Sequence, residues 1–172
     1  MESVDNLLRR LEQLNAIGSA LSKERDITRL LESILVAAKT ITQADGGTLY
    51  RVTDDQKFLR FEILRTDSLH IAMGGTSGNP INFPELPLYD AQGGRNDSLV
   101  AAYAVLHNQT VNIADAYTEP NFDFSGTRQF DERTGYRSQS FLAVPMKDHE
   151  GDIIGVLPVS YTHLTLPTSD LV

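Results

Sequence analysis

Apolar side chains near the start of the chain recur three and four positions apart, which is the spacing of one face of an α-helix. The stripe consists of Val4, Leu7, Leu8, Leu11, Leu14, Ile17 and Leu21. Its period approaches the heptad of a coiled coil, although the run covers fewer than three heptads. The pattern predicts a helix that packs either on its own domain or against a second copy of the chain, and the period alone leaves both interpretations open.

A second helix is predicted from Ile27 to about Thr42. Asp26 precedes it as a suitable N-cap, because its carboxylate can accept hydrogen bonds from the first backbone amides of a helix. The face predicted for burial consists of Leu30, Leu31, Ile34, Leu35, Ala38 and Ile41. Gly46 and Gly47 follow the helix and lead the chain into a strand.

Alternating residues then predict strands at 47–53 and 58–66, joined as a hairpin, and a short strand at 69–73. Residues 74–95 are rich in Gly and Pro, and a loop this long in a compact domain is typically a binding loop or disordered. A helix at 98–107, a strand at 111–115, a polar loop with a short helix at about 117–134, and strands at 141–146 and 153–157 complete the pattern. Antiparallel strands with helices packed on the faces of the sheet define a three-layer α+β domain.

The composition limits which partners, compartment and chemistry this domain can have. The chain has 172 residues, enough for one domain with its own core, and its formal net charge of −8 argues against nucleic acid or an anionic membrane as the main partner. No apolar run approaches the roughly 20 residues of a membrane span, and no signal-peptide pattern is present. The absence of cysteine favours a reducing, cytoplasmic setting. It also excludes a thioether-linked bilin, thiolate redox chemistry and cysteine-ligated iron–sulfur clusters.

No residue pattern indicates a catalytic or metal centre. His70, His107 and His149 lack the paired spacing that is typical of metal ligands. Ser77 lies among glycines, but neither a nucleophile elbow nor a P-loop lysine accompanies it. We therefore predict that the chain is not itself an enzyme and that it holds no cofactor.

The most informative segment is residues 111–157, a strand, a polar loop with a short helix, and two strands across a tight turn, with Asn121 followed by Phe130, Asp131 and Glu132. The segment resembles the second half of a GAF domain, a small-molecule sensor module of bacterial signalling proteins and cyclic-nucleotide phosphodiesterases. Asn121 and the FDE triplet resemble the NKFDE signature of the cyclic-nucleotide-binding members. TGYRSQSFLAVPM followed by GDIIGVL is similar to bacterial GAF domains that precede HD-GYP phosphohydrolase or nucleotide-cyclase outputs.

This resemblance covers about residues 10–157 and divides the chain into three parts. Residues 1–25 are expected to form a signalling and dimerisation helix, residues 26–157 a C-terminally truncated GAF domain, and residues 158–172 a tail. Within that tail, residues 159–168 resemble the in-frame translation of a sequencing adaptor, with an ordinary Thr-rich tail as the alternative. We expect residues 159–172 to pack poorly and the output domain to be missing from this chain.

The resemblance also implies a ligand pocket between the sheet and the elements that cover it. The residues predicted to line it are Phe83, Tyr89, Phe122, Phe124 and Tyr136 for stacking, with Thr110, Asn112, Asp115, Asn121 and Thr134 for hydrogen bonds. The Lys of the signature is absent, so Arg128, three positions before Asp131, is predicted to form the lid salt bridge with that carboxylate. The ligand implied is cyclic AMP or cyclic GMP. The alternative is that this segment only holds a loop onto the sheet.

Two functions follow from these expectations. In the first, the chain is a regulatory, small-molecule-sensing module that dimerises through Leu7, Leu11, Leu14 and Ile17 and controls a covalently linked output domain. In the second, it is a dimerisation and relay module that binds no ligand. The parent protein is expected to be a phosphodiesterase of the HD-GYP type or a cyclase.

Overall fold

The computed structural model describes residues 4–23 and 25–162, which form four helices and seven strands. In chain order these are α1 (Val4–Lys23), α2 (Ile27–Thr42), β1 (Gly46–Val52), β2 (Phe58–Thr66), β3 (Ile71–Gly74), β4 (Leu86–Pro87), α3 (Val100–His107), β5 (Val111–Ile113), α4 (Ser125–Thr134), β6 (Ser138–Lys147) and β7 (Ile153–Thr162). The predicted α+β class is confirmed. Within the polar loop and short helix predicted at about 117–134, the helix occupies Ser125–Thr134, and β4 is an additional strand within the Gly/Pro-rich loop.

All strand pairs are antiparallel and form one sheet of seven strands in the order β3-β2-β1-β7-β6-β5, with β4 paired to β2. Helix α2 packs on one face, where Leu35, Leu49 and Val159 are buried. Helix α3 packs on the other face, where Ala102 and Val156 are fully buried. We call these the α2 face and the α3 face. The predicted three-layer arrangement is therefore confirmed.

Helix α2 begins as the sequence predicts, because the Asp26 carboxylate accepts a 2.9 Å hydrogen bond from the Thr28 amide. The buried face of α2 was predicted wrongly at one position, because Ile41 is 50% exposed. The helix instead buries two charged side chains, Glu32 and Lys39. Both have partners of opposite charge on the sheet or its turns, which is what makes their burial tolerable.

Helix α1 shares the amphipathic pattern of α2, but little of the domain packs against its apolar face. Leu7, Leu8, Leu11 and Leu14 remain between 48% and 51% exposed, and only the C-terminal part of the stripe, Ile17 and Leu21, is half-buried. Packing on its own domain therefore does not account for the stripe of α1. No helix among residues 4–23 and 25–162 has the length and apolar character that crossing a bilayer requires.

Strand β7 continues past residue 157 and contradicts the expectation of poor packing at residues 159–161. Val159 pairs with Gly47 and is only 2% exposed, and the Tyr161 hydroxyl donates to the Thr42 carbonyl at 2.9 Å. The reason is topological, because β7 lies between β1 and β6 in the middle of the sheet, where every second side chain enters the core. The rest of the expected tail, residues 163–172, lies outside the described residues, and its adaptor origin stays a prediction.

Candidate functional site

Two segments cover the α3 face beside helix α3. The first cover, residues 75–98, connects β3 to the start of α3, and the second cover, residues 114–137, connects β5 to β6 and contains α4. They meet where the Asp123 amide donates a 2.7 Å hydrogen bond to the Ser98 carbonyl. Phe122 of the second cover also packs edge-on against Tyr103 of α3, with 5.4 Å between the ring centroids. The sequence implies that the ligand site lies between these covers and the sheet.

Asp131 is the centre of the second cover. Its carboxylate is 3% exposed and accepts hydrogen bonds from the Tyr117 hydroxyl at 2.7 Å and from the Ser138 amide and hydroxyl, both at 2.9 Å. These bonds join the C-terminal half of α4 to the preceding loop and to the first residue of β6. The hydrogen bond to Asp131 raises the pKa of the Tyr117 hydroxyl above its usual value. The signature aspartate is therefore a closing residue of this cover.

The predicted salt bridge between Arg128 and Asp131 is wrong. Arg128 donates to the Tyr117 carbonyl at 3.1 Å and lies 5.3 Å from the centre of the Tyr117 ring, while both oxygens of Asp131 are taken by neutral donors. Arg137 lies over the same ring at 3.7 Å and pairs with Asp115 at 3.3 Å. The ion pair of this cover is therefore Arg137–Asp115. Its arginine follows α4 and lay outside the predicted set.

An aromatic row lies beneath the first cover. Phe83 packs on Phe61 at a centroid distance of 5.3 Å, and Phe61 packs on Tyr50 at 4.6 Å. Burial raises the pKa of the Tyr50 hydroxyl. Phe61 and Tyr50 were missed because no residue of β1 or β2 was among the predicted site residues. The β1–β2 register shifts between Leu49 and Tyr50, next to these two rings.

The other predicted aromatic residues have different surroundings. Phe124 lies on the α3 face, as predicted, but it is buried in the core and stacks on Phe141 at 5.5 Å. Its ring is therefore not free to contact a ligand. Tyr136 is wrongly predicted as a stacking residue, because it is buried and its ring packs edge-on against Phe130 at 6.2 Å. Its hydroxyl donates at 2.5 Å to Asp45 in the turn after α2. Tyr89 is 42% exposed, and its backbone forms an isolated antiparallel β-bridge with that of Arg95 within the first cover.

The predicted polar residues do not converge on one point. Thr110, Asn112 and Asn121 are exposed, and Asn112 points away from the core side of β5 because its neighbours Val111 and Ile113 are buried. The Thr134 hydroxyl is held by its own helix, donating to the Phe130 carbonyl at 2.7 Å. Asp115 is engaged by Arg137 and by the Tyr117 amide. Of this set, only Asp115 belongs to the network that closes the second cover.

Two further features lie away from the covers. A groove of about 340 Å³ on the α2 face is lined mainly by apolar residues at the start of α2 and the ends of β1, β6 and β7. Three carboxylates, those of Asp148, Glu150 and Asp152, lie within 4.8 Å of one another in the β6–β7 turn. Asp148 accepts the amides of the other two residues, so this cluster is explained by the geometry of the turn.

Comparison with protein-family models identifies the class. The chain belongs to the GAF domain family, whose model matches residues 26–170. Among curated proteins, residues of this chain are 31% identical over 139 positions to a dual 3′,5′-cyclic-AMP and -GMP phosphodiesterase 11A of Takifugu rubripes, covering 79% of this chain. A cGMP-specific 3′,5′-cyclic phosphodiesterase of Drosophila melanogaster is 29% identical over 143 residues, covering 80% of this chain. The matched segment is 14% and 11% of those two relatives.

Solved structures support the same fold. The GAF domain of an Acinetobacter phosphoenolpyruvate-protein phosphotransferase superposes with a TM-score of 0.61 at 15% identity, covering 94% of this chain and 79% of that one. A free methionine-R-sulfoxide reductase of Neisseria meningitidis gives 0.62 at 20% identity, covering 98% and 82%. These likenesses extend to the fold and not to the chemistry of the site.

Proposed function

We propose that this chain is a regulatory GAF module that binds a cyclic nucleotide, cyclic GMP or cyclic AMP, between the sheet and the two covers. The observation that carries the proposal is the alignment of about four fifths of the chain with a small segment of phosphodiesterases named for these nucleotides. In the proposal, the chain reports ligand to an output domain elsewhere in a longer protein. That output is a phosphodiesterase by analogy with the relatives, or the HD-GYP hydrolase or cyclase that the sequence suggests.

The structure supports this proposal through the closed second cover and the aromatic row. Asp131 holds the cover shut from within, and Phe83 is 40% exposed beside two further rings of the sheet. A flat base stacked on an exposed aromatic ring, fixed by a few polar groups, is a common mode of recognition in apolar sites. Phe83, rather than the fully packed Phe124, is therefore the residue we assign to stacking.

A thermal-shift and calorimetry experiment tests ligand binding. Cyclic GMP or cyclic AMP at a hundredfold excess over Kd should stabilise the folded chain by roughly 2.7 kcal/mol, because the ligand binds only the folded state. Phe83→Ala should weaken binding roughly fivefold through loss of one stacking contact of about 1 kcal/mol. The linear nucleotides 5′-GMP and 5′-AMP serve as ligand controls. Absence of heat and of a melting shift with both cyclic nucleotides would contradict the proposal.

The exposed stripe of α1 favours a second element of the function, a homodimer through Leu7, Leu11, Leu14 and Ile17. Four leucines of one helix face are about half exposed, and a second copy of the same helix would cover them along roughly 30 Å. Without a ligand, the same dimer would make the chain a relay module. The dimer therefore stands independently of nucleotide binding.

Sedimentation measures this dimer directly. Leu11→Asp combined with Leu14→Asp should convert dimer to monomer while the domain stays folded, because two carboxylates would be buried in an apolar seam. The matched control, Gln13→Asp with Ala16→Asp, adds the same charge to exposed positions on the other side of α1 and should leave the dimer intact. An unmutated chain that sediments as a monomer would refute the dimer.

A further inference from the structure

Helix α2 is connected to each cover by a buried carboxylate. Glu32, in the N-terminal half of α2, is 9% exposed, and Asp45, three residues after the helix ends, is 7% exposed. Glu32 belongs to α2 itself, and Asp45 lies in the turn that joins α2 to β1. A buried charge is costly unless it is fully hydrogen-bonded, so the partners of these two groups are informative.

Glu32 binds the start of the first cover. It accepts hydrogen bonds from the Thr76 hydroxyl at 2.5 Å and the Thr76 amide at 3.4 Å, and it pairs with Arg65 of β2 at 2.5 Å. Gly75 lies so close that a Cβ atom there would be 3.0 Å from the Glu32 carboxylate. Burial acts to raise the pKa of Glu32, but the bonds from Thr76 and Arg65 outweigh it and the pKa is lowered. The anchor is therefore a carboxylate anion.

Asp45 binds the end of the second cover. Its carboxylate accepts the Tyr136 hydroxyl at 2.5 Å and the hydroxyl and amide of Ser68 at 2.7 and 3.0 Å. Burial and the bond to Asp45 raise the pKa of Tyr136. Tyr136 lies in the connection between α4 and β6, five residues after Asp131. One hydroxyl therefore joins the residues that follow α4 to the turn that follows α2.

The same geometry applies to the first cover. Phe83, which contacts the rings of the sheet on the α3 face, follows Thr76 by seven residues. The first cover thus passes from Glu32 on the α2 face around the sheet edge at β3 to the ligand side. Both covers contain residues on the α3 face, and each is hydrogen-bonded either to α2 or to the turn that follows it.

We propose that Glu32 and Asp45 are positioning residues that couple the two covers to helix α2. The proposal rests on the proposed function in one respect, because binding of the ligand would be the event that changes the covers. The coupling itself is a property of the ligand-free chain, in which loosening one cover must loosen α2. The two statements therefore fail separately.

Hydrogen exchange of the ligand-free chain tests the coupling with variants that remove a single hydroxyl. Thr76→Val should raise exchange about fivefold at residues 76–83 and also in the N-terminal half of α2, as expected for loss of one hydrogen bond. Tyr136→Phe should do the same for α4 and the end of α2. Unchanged exchange in α2 in both variants would overturn the proposal.

Two matched controls separate coupling from general loosening. Glu85→Gln removes an exposed ion pair between the first cover and Arg60 of β2, and should leave α2 unchanged. Tyr161→Phe removes a hydroxyl that also contacts the end of α2, but from β7, and should leave α4 unchanged. A rise in α4 exchange in Tyr161→Phe equal to that in Tyr136→Phe would also overturn the proposal.

Adding cyclic GMP or cyclic AMP separates this inference from the proposed function. Protection of both covers and α2 in the unmutated chain, reduced at α2 in the double variant Thr76→Val with Tyr136→Phe, supports both. Protection of the covers with no change in α2 would overturn the coupling and leave ligand binding intact. If neither nucleotide protects any segment, the proposed function fails, and the ligand-free comparison still decides the coupling.

Discussion

The two covers of the site are held in different ways. The second cover is closed mainly by its own residues and by the first residue of β6, since Asp131 accepts hydrogen bonds from Tyr117 and Ser138 and two arginines flank the Tyr117 ring. The first cover consists of local turns, such as the one in which Asp90 accepts the Gly94 amide at 2.7 Å. The charged residue that anchors the start of the first cover, Glu32, belongs to α2.

This difference shows which residues decide the state of each cover. Residues within the second cover decide its closure, and its bond to Asp45 transmits that state to α2. The first cover depends on α2 for its position, and two of its aromatic rings, Phe83 and Tyr89, stay about 40% exposed. We expect the first cover to be the more easily opened of the two.

The largest effect that sharpens this comparison is expected at Asp131. Asp131→Ala leaves three donors without their acceptor and should lower the free energy of unfolding by about 3 kcal/mol. Asp131→Asn should cost about 1 kcal/mol, because an amide can accept from Tyr117 and donate to the Ser138 hydroxyl. Urea unfolding measures both. The adjacent exposed Glu132→Ala is the control, and an equal loss there would contradict the assignment.

Sequence reasoning predicted the frame of this molecule well. Helix α2, its Asp26 cap and the strand pattern follow from local rules of period and capping that act over a few residues. The prediction that the residues at the end of β7 pack poorly was wrong, because their burial depends on the position of that strand between β1 and β6. Sheet order is a long-range property that no local pattern at residues 158–161 contains.

The site was predicted less completely, for a related reason. The sequence signature located Asp131, but its actual partners, Tyr117 and Ser138, are neutral donors that carry no charge pattern. Arg128 was chosen as the partner by spacing on one helix, whereas the carboxylate faces away from it into the core. Glu32 was missed because an acid on an amphipathic helix ordinarily faces water. Its burial depends on Arg65 and Thr76, 33 and 44 residues away.

A second, smaller effect is the pH dependence that Glu32 gives the first cover. A carboxyl group whose pKa is lowered on folding stabilises the fold fully above its unfolded pKa, near 4.5, and loses that contribution as pH falls through the folded value. The stability difference between the unmutated chain and Glu32→Gln should therefore be constant near neutral pH and shrink below about pH 4.5. Urea unfolding at a series of pH values measures it.

The variant Thr76→Val sharpens the assignment of this effect. It removes a hydroxyl that lowers the pKa of Glu32 but keeps the pairing with Arg65, so it should reduce the pH-dependent part without abolishing it. A difference between the unmutated chain and Glu32→Gln that grows as the solution is acidified has the opposite sign. That result would show that Glu32 does not anchor the cover as an anion.

The smallest effect is expected at the ion pair that joins the first cover to β2, between Glu85 and Arg60. Its atoms are 3.3 Å apart, but the two side chains are 61% and 41% exposed, so solvent screens the attraction. Glu85→Gln should change the free energy of unfolding by less than about 0.5 kcal/mol, and added salt should reduce even that difference. Urea unfolding at low and high salt measures it. A loss as large as that of Glu32→Gln would mean that the first cover is held along its whole length, and the contrast with the second cover would fail.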